Sequence, residues 1–342
     1  MEKILSVIIP TYNMEKLLNR CLDSLIVDNI ELLEIIVVND GSKDRSSEIA
    51  HKYEGRYPNS FRVIDKENGN YGSCINRGLK EATGKYIKIL DSDDYYDTNA
   101  LCNLIKFLQL SSSDIIISPF TIRNFENEKL SVFDVPEKYA FNSFDGNVLN
   151  FRKLQLGDLC KMHAMCVRKD LLVENGYYQT EGISYTDTQF VFYSLLYGNS
   201  ISFVNFNVYQ YCIGRDEQTM STNSMIKNNM HFYNNAYRMI SEFLKINVND
   251  FPLAKLDNIK LCINSLLHCF IYVTFYLLYA NDKQVLLLKN LMLFIKENKV
   301  PYCLETEFSD VLLFKLWLKF KISPKLLVLL YRPNLLLAKL KS

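Results

Sequence analysis

Four short apolar runs, each closed by a polar turn, constrain this chain more than any other feature. They are Ile4 to Pro10, Glu34 to Asn39, Phe61 to Asp65 and Tyr86 to Leu90, and Pro, Gly, Asn, Asp or Ser bound them. Runs of this length, rich in β-branched residues, read as buried strands. Helical spacing lies between them. Leu17, Leu18, Cys21, Leu22 and Leu25 share one face, with Asn13 placed to cap that helix, and a second helix is expected near Ser46 to Tyr53. A third follows the Asn68 to Gly72 loop and ends near Gly84. Strands alternating with helices over ordinary connections imply a mostly parallel sheet covered on both faces. In open sheets of this kind ligands bind beyond the carboxyl ends of the strands. Thr11, Asp40 and Asp91 are therefore expected to meet at one rim although they lie far apart in sequence.

Further on, Ser113 to Phe120 reads as one more strand, Ser131 to Asp158 as irregular, Thr186 to Tyr197 as a helix and Ile201 to Tyr211 as strand-like. From about Asn223 the pattern is helical almost throughout, which places a domain boundary near Thr222. At 342 residues the chain exceeds one small core. A formal net charge of +1 calls for no nucleic-acid partner. Nine cysteines with no CxxC pair, and no basic start followed by an apolar run at the N-terminus, suit reduced thiols in the cytoplasm. Leu261 to Ala280 is 20 residues without a formal charge, long enough to cross a bilayer. Asn264, Ser265, His268 and Thr274 interrupt it, so a buried or interface helix is the favoured reading. From Val311 the only charges are the seven cations Lys315, Lys319, Lys321, Lys325, Arg332, Lys339 and Lys341, among leucines and Trp317. Such a tail suits the inner face of an anionic membrane, and equally a helix packed on the remaining protein or a dimer contact.

Chemistry concentrates at the strand exits. Asp91-Ser92-Asp93-Asp94 leaves a buried strand, and carboxylates so placed can hold a hard divalent cation shared with phosphates. Asp40-Gly41-Ser42 leaves the second strand with an acid able to accept from a base or ribose. Asn68-Gly69-Asn70-Tyr71-Gly72 precedes a helix and allows close approach of a ligand, but it is neither GxGxxG nor a P-loop. Cys160-x2-His163-x2-Cys166 lacks a second cluster, so zinc is rejected there. His51, His231 and His268 read as structural.

Together these pieces resemble the family 2 glycosyltransferases, inverting enzymes of GT-A fold. The matching residues are Val7 to Asn13, Val38 to Asp44, Asn68-Gly69 with Asn76-Arg77-Gly78, Gly84-Lys85-Tyr86 and Asp91 to Asp94. The resemblance is good over residues 1–120, weaker over 121–220 and absent over 221–342. It implies an α/β fold with a mixed GT-A sheet and a helical C-terminal region. The catalytic domain would be 1–222, with a nucleotide-binding half 1–98 and an acceptor half 99–222, followed by helices over 223–342. Pro10, Thr11 and Tyr12 would line the base pocket and Asp40 would read the base, often uracil. Asn68 and Gly69 would support it. Asp91 would lie by the ribose and the water shell of the metal, Ser92 would belong to the nucleotide site, and Asp93 would bind Mn²⁺ or Mg²⁺. Arg215 would neutralise the leaving diphosphate or, equally, form a surface salt bridge with Asp216 or Glu217, and His163 would stand on the acceptor side or next to the metal. Asp187 matches the general base, with Thr186 in place of the usual first acid. Thr186-x-x-Gln189 also reads as a capping box that would steady Asp187. Asn39 replaces a second acid found in many members, which leaves the nucleotide open. The implied activity is hexosyl transfer from a nucleotide sugar, expected to be a UDP-sugar, to a glycan or lipid-linked acceptor in bacterial-type surface polysaccharide assembly. An oligomer is compatible with this. The rivals are a sugar-nucleotide-forming nucleotidyltransferase and a nucleotide-sugar-binding protein without turnover.

Overall fold

The computed structural model describes residues 2–124, 126–135, 149–150, 156–214, 221–278, 280–298, 300, 309–321 and 323–326. They fall into two compact units, Met1–Arg215 with Pro252–Asn258, and Asp216–Phe251 with Ile259–Ser342.

The first unit opens with β1 (Leu5–Thr11), α1 (Leu18–Asp23), β2 (Leu33–Asn39), α2 (Ser46–Arg56), β3 (Phe61–Asp65), α3 (Asn70–Glu81) and β4 (Tyr86–Ile89). Every residue of β1, β2 and β4 is buried, as befits parallel strands covered on both faces. It continues with β5 (Tyr95–Tyr96), α4 (Thr98–Leu110), β6 (Ile115–Ile117), β7 (Phe120–Asn124), β8 (Lys129–Phe133), β9 (Leu149–Asn150), β10 (Met165–Arg168), α5 (Lys169–Glu174), α6 (Asp187–Tyr197), β11 (Ser200–Phe203) and β12 (Tyr209–Ile213). An eight-stranded sheet runs β3-β2-β1-β4-β10-β6-β11-β9, and a four-stranded sheet runs β5-β12-β7-β8. The large sheet is parallel from β3 to β4. It then turns mixed, because β10 lies antiparallel to both β4 and β6.

The register assembles the rim. Thr11 pairs with Asn39, Asn39 with Asp65, and Ile8 with Ile89, so four parallel strands end together. Because β10 is antiparallel to β4, its start lies at that same end. The turn Met162–Ala164 thereby comes beside the exit of β4.

Four expectations are corrected. Ser113 to Phe120 is two strands in different sheets, broken at Ser118-Pro119, where proline has no N–H to give a ladder. Ile201 to Tyr211 breaks likewise, so β11 joins β6 while β12 joins β7. Asn13 caps no helix: it has φ 53° and its Oδ1 accepts from Lys43 N at 2.8 Å, while α1 is capped by Leu17 without a side-chain bond. The Thr186 side chain makes no cap either, because its Oγ1 accepts from Gln179 at 2.9 Å and Gln189 Oε1 accepts from Thr180 N at 2.9 Å.

The second unit contains α7 (Thr222–Lys227), α8 (Asn229–Phe243), α10 (Asp282–Glu297) and α11 (Ser309–Phe320); α9 (Leu253–Tyr272) begins among residues counted with the first. Phe232, Ala236, Met239, Ile240 and Phe243 bury one stripe of α8, and Leu288, Leu291, Met292 and Ile295 bury one of α10. Phe275, Phe314 and Trp317 form an aromatic cluster. Leu253–Phe275 is long and apolar enough to cross a membrane, and most of it is buried in the protein. Of the basic tail, residues 327–342 lie outside the described residues. Among the described residues Lys325 pairs with Asp282 at 2.8 Å.

Candidate active site

The expected convergence is present. Asp40 N donates to Thr11 O at 2.8 Å, which joins the first two turns directly. Pro10 and Thr11 are buried, whereas Tyr12 is 46% exposed beside them. Asn39, which stands in for a second acid, is structural: its Nδ2 donates to Asp65 at 2.7 Å and its Oδ1 accepts from Ser42 N at 3.2 Å. Gly41 takes φ +73°, which suits glycine, and the turn closes on Asn68.

Asp40 is only 3% exposed and is charge-compensated. Its Oδ1 accepts from Lys66 Nζ at 2.5 Å and from Gly69 N at 2.9 Å, and Asn68 Nδ2 donates to its carbonyl at 3.0 Å. Lys66 also donates to Ser73 Oγ at 2.9 Å. The Cys74 thiol lies against the same carboxylate, and burial, followed by the Asp40 charge, pushes it up to about 12. Sequence reasoning passed over Lys66, which stands just beyond a strand as lysines often do.

The turn after β4 is built differently. Asp91 Oδ1 accepts from the Tyr71 hydroxyl at 3.0 Å, and its backbone N donates to Tyr209 Oη at 3.2 Å. Burial, then the charge of Asp93, and lastly that of Asp187, push the Asp91 carboxyl up to about 8. Ser92 is buried, and Asp93 is partly exposed, its carbonyl accepting from Arg20 Nη2 at 2.7 Å. Asp94 is 1% exposed; it accepts from Tyr209 Oη and from Cys212 N, each at 2.7 Å. Burial and the charges of Asp93 and Asp91 raise its carboxyl well above the ordinary range.

His163 joins this cluster. Its ring lies 4.3 Å from Tyr211, 4.8 Å from Tyr209 and 5.4 Å from Phe120, centroid to centroid. Burial first, then the charges of Lys161 and Lys88, hold its pKa down to about 3, so the imidazole is neutral. The fully buried Lys88 donates from Nζ to His163 O at 2.9 Å and to Met165 O at 3.1 Å, and burial brings its pKa down to about 8. One ligand atom each of Asp91, Asp94 and His163 lies within 4.8 Å of the others. Cys160, Cys166 and Asp93, the acid expected to bind the metal, are not members of that group. The residues fit a divalent cation, since two carboxylates crowd together with a neutral nitrogen donor.

Asp187 opens α6, where its own N–H and that of Thr188 favour its charged form, but burial prevails and raises its pKa. Its charge is felt at Asp91, Tyr71 and Tyr211, so it belongs to the same electrostatic neighbourhood. The segment before it is strapped to α3. Asn76 exchanges bonds with Gln179 at 2.8 and 2.9 Å, and a Cβ on Gly72 would stand 2.0 Å from Thr180 O. Arg215 lies outside the described residues. Lys88 also escaped the sequence reading, and its one available signal was a lysine in the otherwise apolar strand YIKI; Tyr71 and Asp94 stood within the quoted turns without a role of their own.

Residues 6–175 match the family model described as Glycosyl transferase family 2. The uncharacterized glycosyltransferase EpsJ of Bacillus subtilis (strain 168) is 40% identical over 113 residues, 33% of this chain and 33% of EpsJ. The minor teichoic acid biosynthesis protein GgaB of the same organism is 39% identical over 114 residues, 33% of this chain and 13% of GgaB. The chain thus spans a third or less of the length of these relatives. The solved structure of S. aureus TarS 1-349 in complex with UDP-GlcNAc is similar over 86% of this chain and 92% of that chain, with TM-score 0.54 and 21% identity. At that identity the likeness is one of fold, and the fold is the mixed α/β GT-A arrangement.

Proposed function

Since the chain belongs to glycosyl transferase family 2 through residues 6–175, we propose that it carries out inverting transfer of a sugar from a UDP-sugar to a hydroxyl acceptor. The observation that carries this reading is the meeting of the Thr11, Asp40 and Asp91 turns on one rim, with Asp187 in electrostatic reach. Thr11 and Tyr12 flank the base. Asp40, with Oδ1 already taken by Lys66 and Gly69, offers one remaining oxygen. That suits the single imide N–H of uracil better than the paired N–H groups of guanine. A raised carboxyl pKa suits Asp187 to act as base near neutral pH. It takes the acceptor hydroxyl proton as that oxygen bonds to the anomeric carbon, while the opposite bond breaks and its electron pair leaves with the diphosphate. Mn²⁺ or Mg²⁺ held at the Asp91 to Asp94 turn, with Asp93 as a further ligand, would supply positive charge for that leaving group. Surface polysaccharide assembly, in keeping with GgaB being a minor teichoic acid biosynthesis protein, and a glycan or lipid-linked acceptor at the cytoplasmic membrane face complete the proposal.

The test pairs thermal stabilisation by UDP-sugars and Mn²⁺ with assays of transfer and donor hydrolysis. Asp187→Asn is expected to keep donor affinity within a few-fold and to lower turnover by about 10²–10⁴-fold. Equal loss of both would remove Asp187 as base. Binding without turnover in the wild type, or pyrophosphate release from a nucleoside triphosphate and a sugar phosphate, would overturn the reading itself.

A further inference from the structure

We propose that His163 is a nitrogen ligand of the cation site at the β4 turn, and that it makes the site prefer Mn²⁺ to Mg²⁺. The proposal rests on the reading above that a cation accompanies the nucleotide. An acidic turn alone would not support it. The deciding observation is on the histidine: His163 is 9% exposed, yet its Nδ1 is buried without a hydrogen-bond partner. A core histidine ordinarily has its buried ring nitrogens bonded, and leaving one unmade costs about 1–3 kcal/mol. Phe120, Tyr209 and Tyr211 surround the ring with aromatic surface. Among the described residues, the metal-ligating groups clustered with this ring are the carboxylates of Asp91 and Asp94, one ligand atom of each residue lying within 4.8 Å of the others.

The surroundings hold this donor in place. Lys88 anchors the turn from beneath through the carbonyls of His163 and Met165, and Ser118 N donates to Ala164 O at 2.9 Å. Lys88 belongs to the strand that delivers Asp91, so one strand both presents the acid and fastens the histidine. Asp94 already accepts from Tyr209 and Cys212, and Tyr209 Oη in turn accepts from Asp91 N. Asp94 and Tyr209 therefore act as the outer support, while Asp91 and His163 face the ion. Mg²⁺ takes oxygen ligands in near-ideal octahedral geometry, whereas first-row transition ions accept imidazole. A fixed ring nitrogen accordingly biases the site against Mg²⁺.

The experiment is pulsed electron paramagnetic resonance of the full chain with Mn²⁺ and UDP, with and without ¹⁵N-histidine. A histidine nitrogen coupling that shifts on labelling and disappears in His163→Gln is expected. The ratio of Mn²⁺ to Mg²⁺ affinity in the presence of UDP is expected to fall about tenfold or more in His163→Gln, with smaller change in UDP affinity under saturating Mn²⁺. Bound Mn²⁺ with phosphorus coupling but no histidine nitrogen overturns this inference and leaves the function standing. Failure of the wild type to bind Mn²⁺ with UDP overturns both. The labelled wild-type spectrum decides the matter even if His163→Gln does not fold.

Discussion

Two acidic turns stand on the same rim and are wired in opposite ways. Asp40, after β2, is matched by an ammonium group and a backbone N–H. Asp91 and Asp94, after β4, receive hydroxyls and an amide, and their carboxyls are pushed upward by burial and by the charge of Asp93. A compensated carboxylate can accept a neutral hydrogen bond without drawing in a cation. A crowded, uncompensated pair is relieved by one. The difference supports the proposed division, base reading at the first turn and diphosphate binding at the second, although both look like Asp-rich turns in the sequence.

Asp93→Ala should have the largest effect on this contrast. Mn²⁺-dependent binding of the nucleotide sugar is expected to fall by about 100-fold or more, while Asp40→Asn lowers nucleotide affinity about tenfold with or without Mn²⁺. Titration calorimetry of both variants with and without Mn²⁺ checks this, and an equal metal dependence in the two would erase the distinction. Next comes Lys66→Met, which strands a buried carboxylate and is expected to cost about 2 kcal/mol of stability in denaturant unfolding. Adding Asp40→Asn should recover more than half of that loss. No recovery in the double variant would show that Lys66 does not compensate Asp40.

The smallest effect concerns His51, which props the β2 turn from outside. His51 pairs with Asp65 at 2.7 Å, and Asp65 accepts from Asn39. The bond to Asp65, aided by Glu54, raises the His51 pKa above its ordinary value. The folded state thus holds the proton more tightly, so this contribution is full below about pH 6.5 and is lost as pH rises through the elevated value. With the His51 side chain 46% exposed, a few tenths of a kcal/mol are expected. Melting of His51→Gln against wild type at pH 5.5 and 8.5 should show a gap only at the lower pH; a gap that persists at the higher pH would exclude the ion pair as its source.

Much of the rim was legible beforehand. Thr11, Asp40 and Asp91 converge because parallel strands of similar length end together, and apolar runs followed by polar turns mark those ends. The start of α6 at Asp187 was also legible from its spacing, but its cap was not. Thr186 and Gln189 form their bonds with residues 179 and 180 instead, a choice made by the packing of that segment on Gly72 and Asn76. Nor does adjacency tell which of Asp93 and Asp94 turns inward. That depends on Tyr209 and Cys212, delivered by β12.

By itself the sequence determined the alternation of elements, the parallel half of the sheet and the placing of acids at strand exits. These follow from local periodicity and turn chemistry, which act over a few residues at a time. Tertiary structure alone decided which acid is compensated, which is inward, and that a histidine with a buried, unbonded Nδ1 stands beside two of them. Partners of that kind come from remote segments brought in by an antiparallel strand, and no local pattern specifies the order in which strands dock.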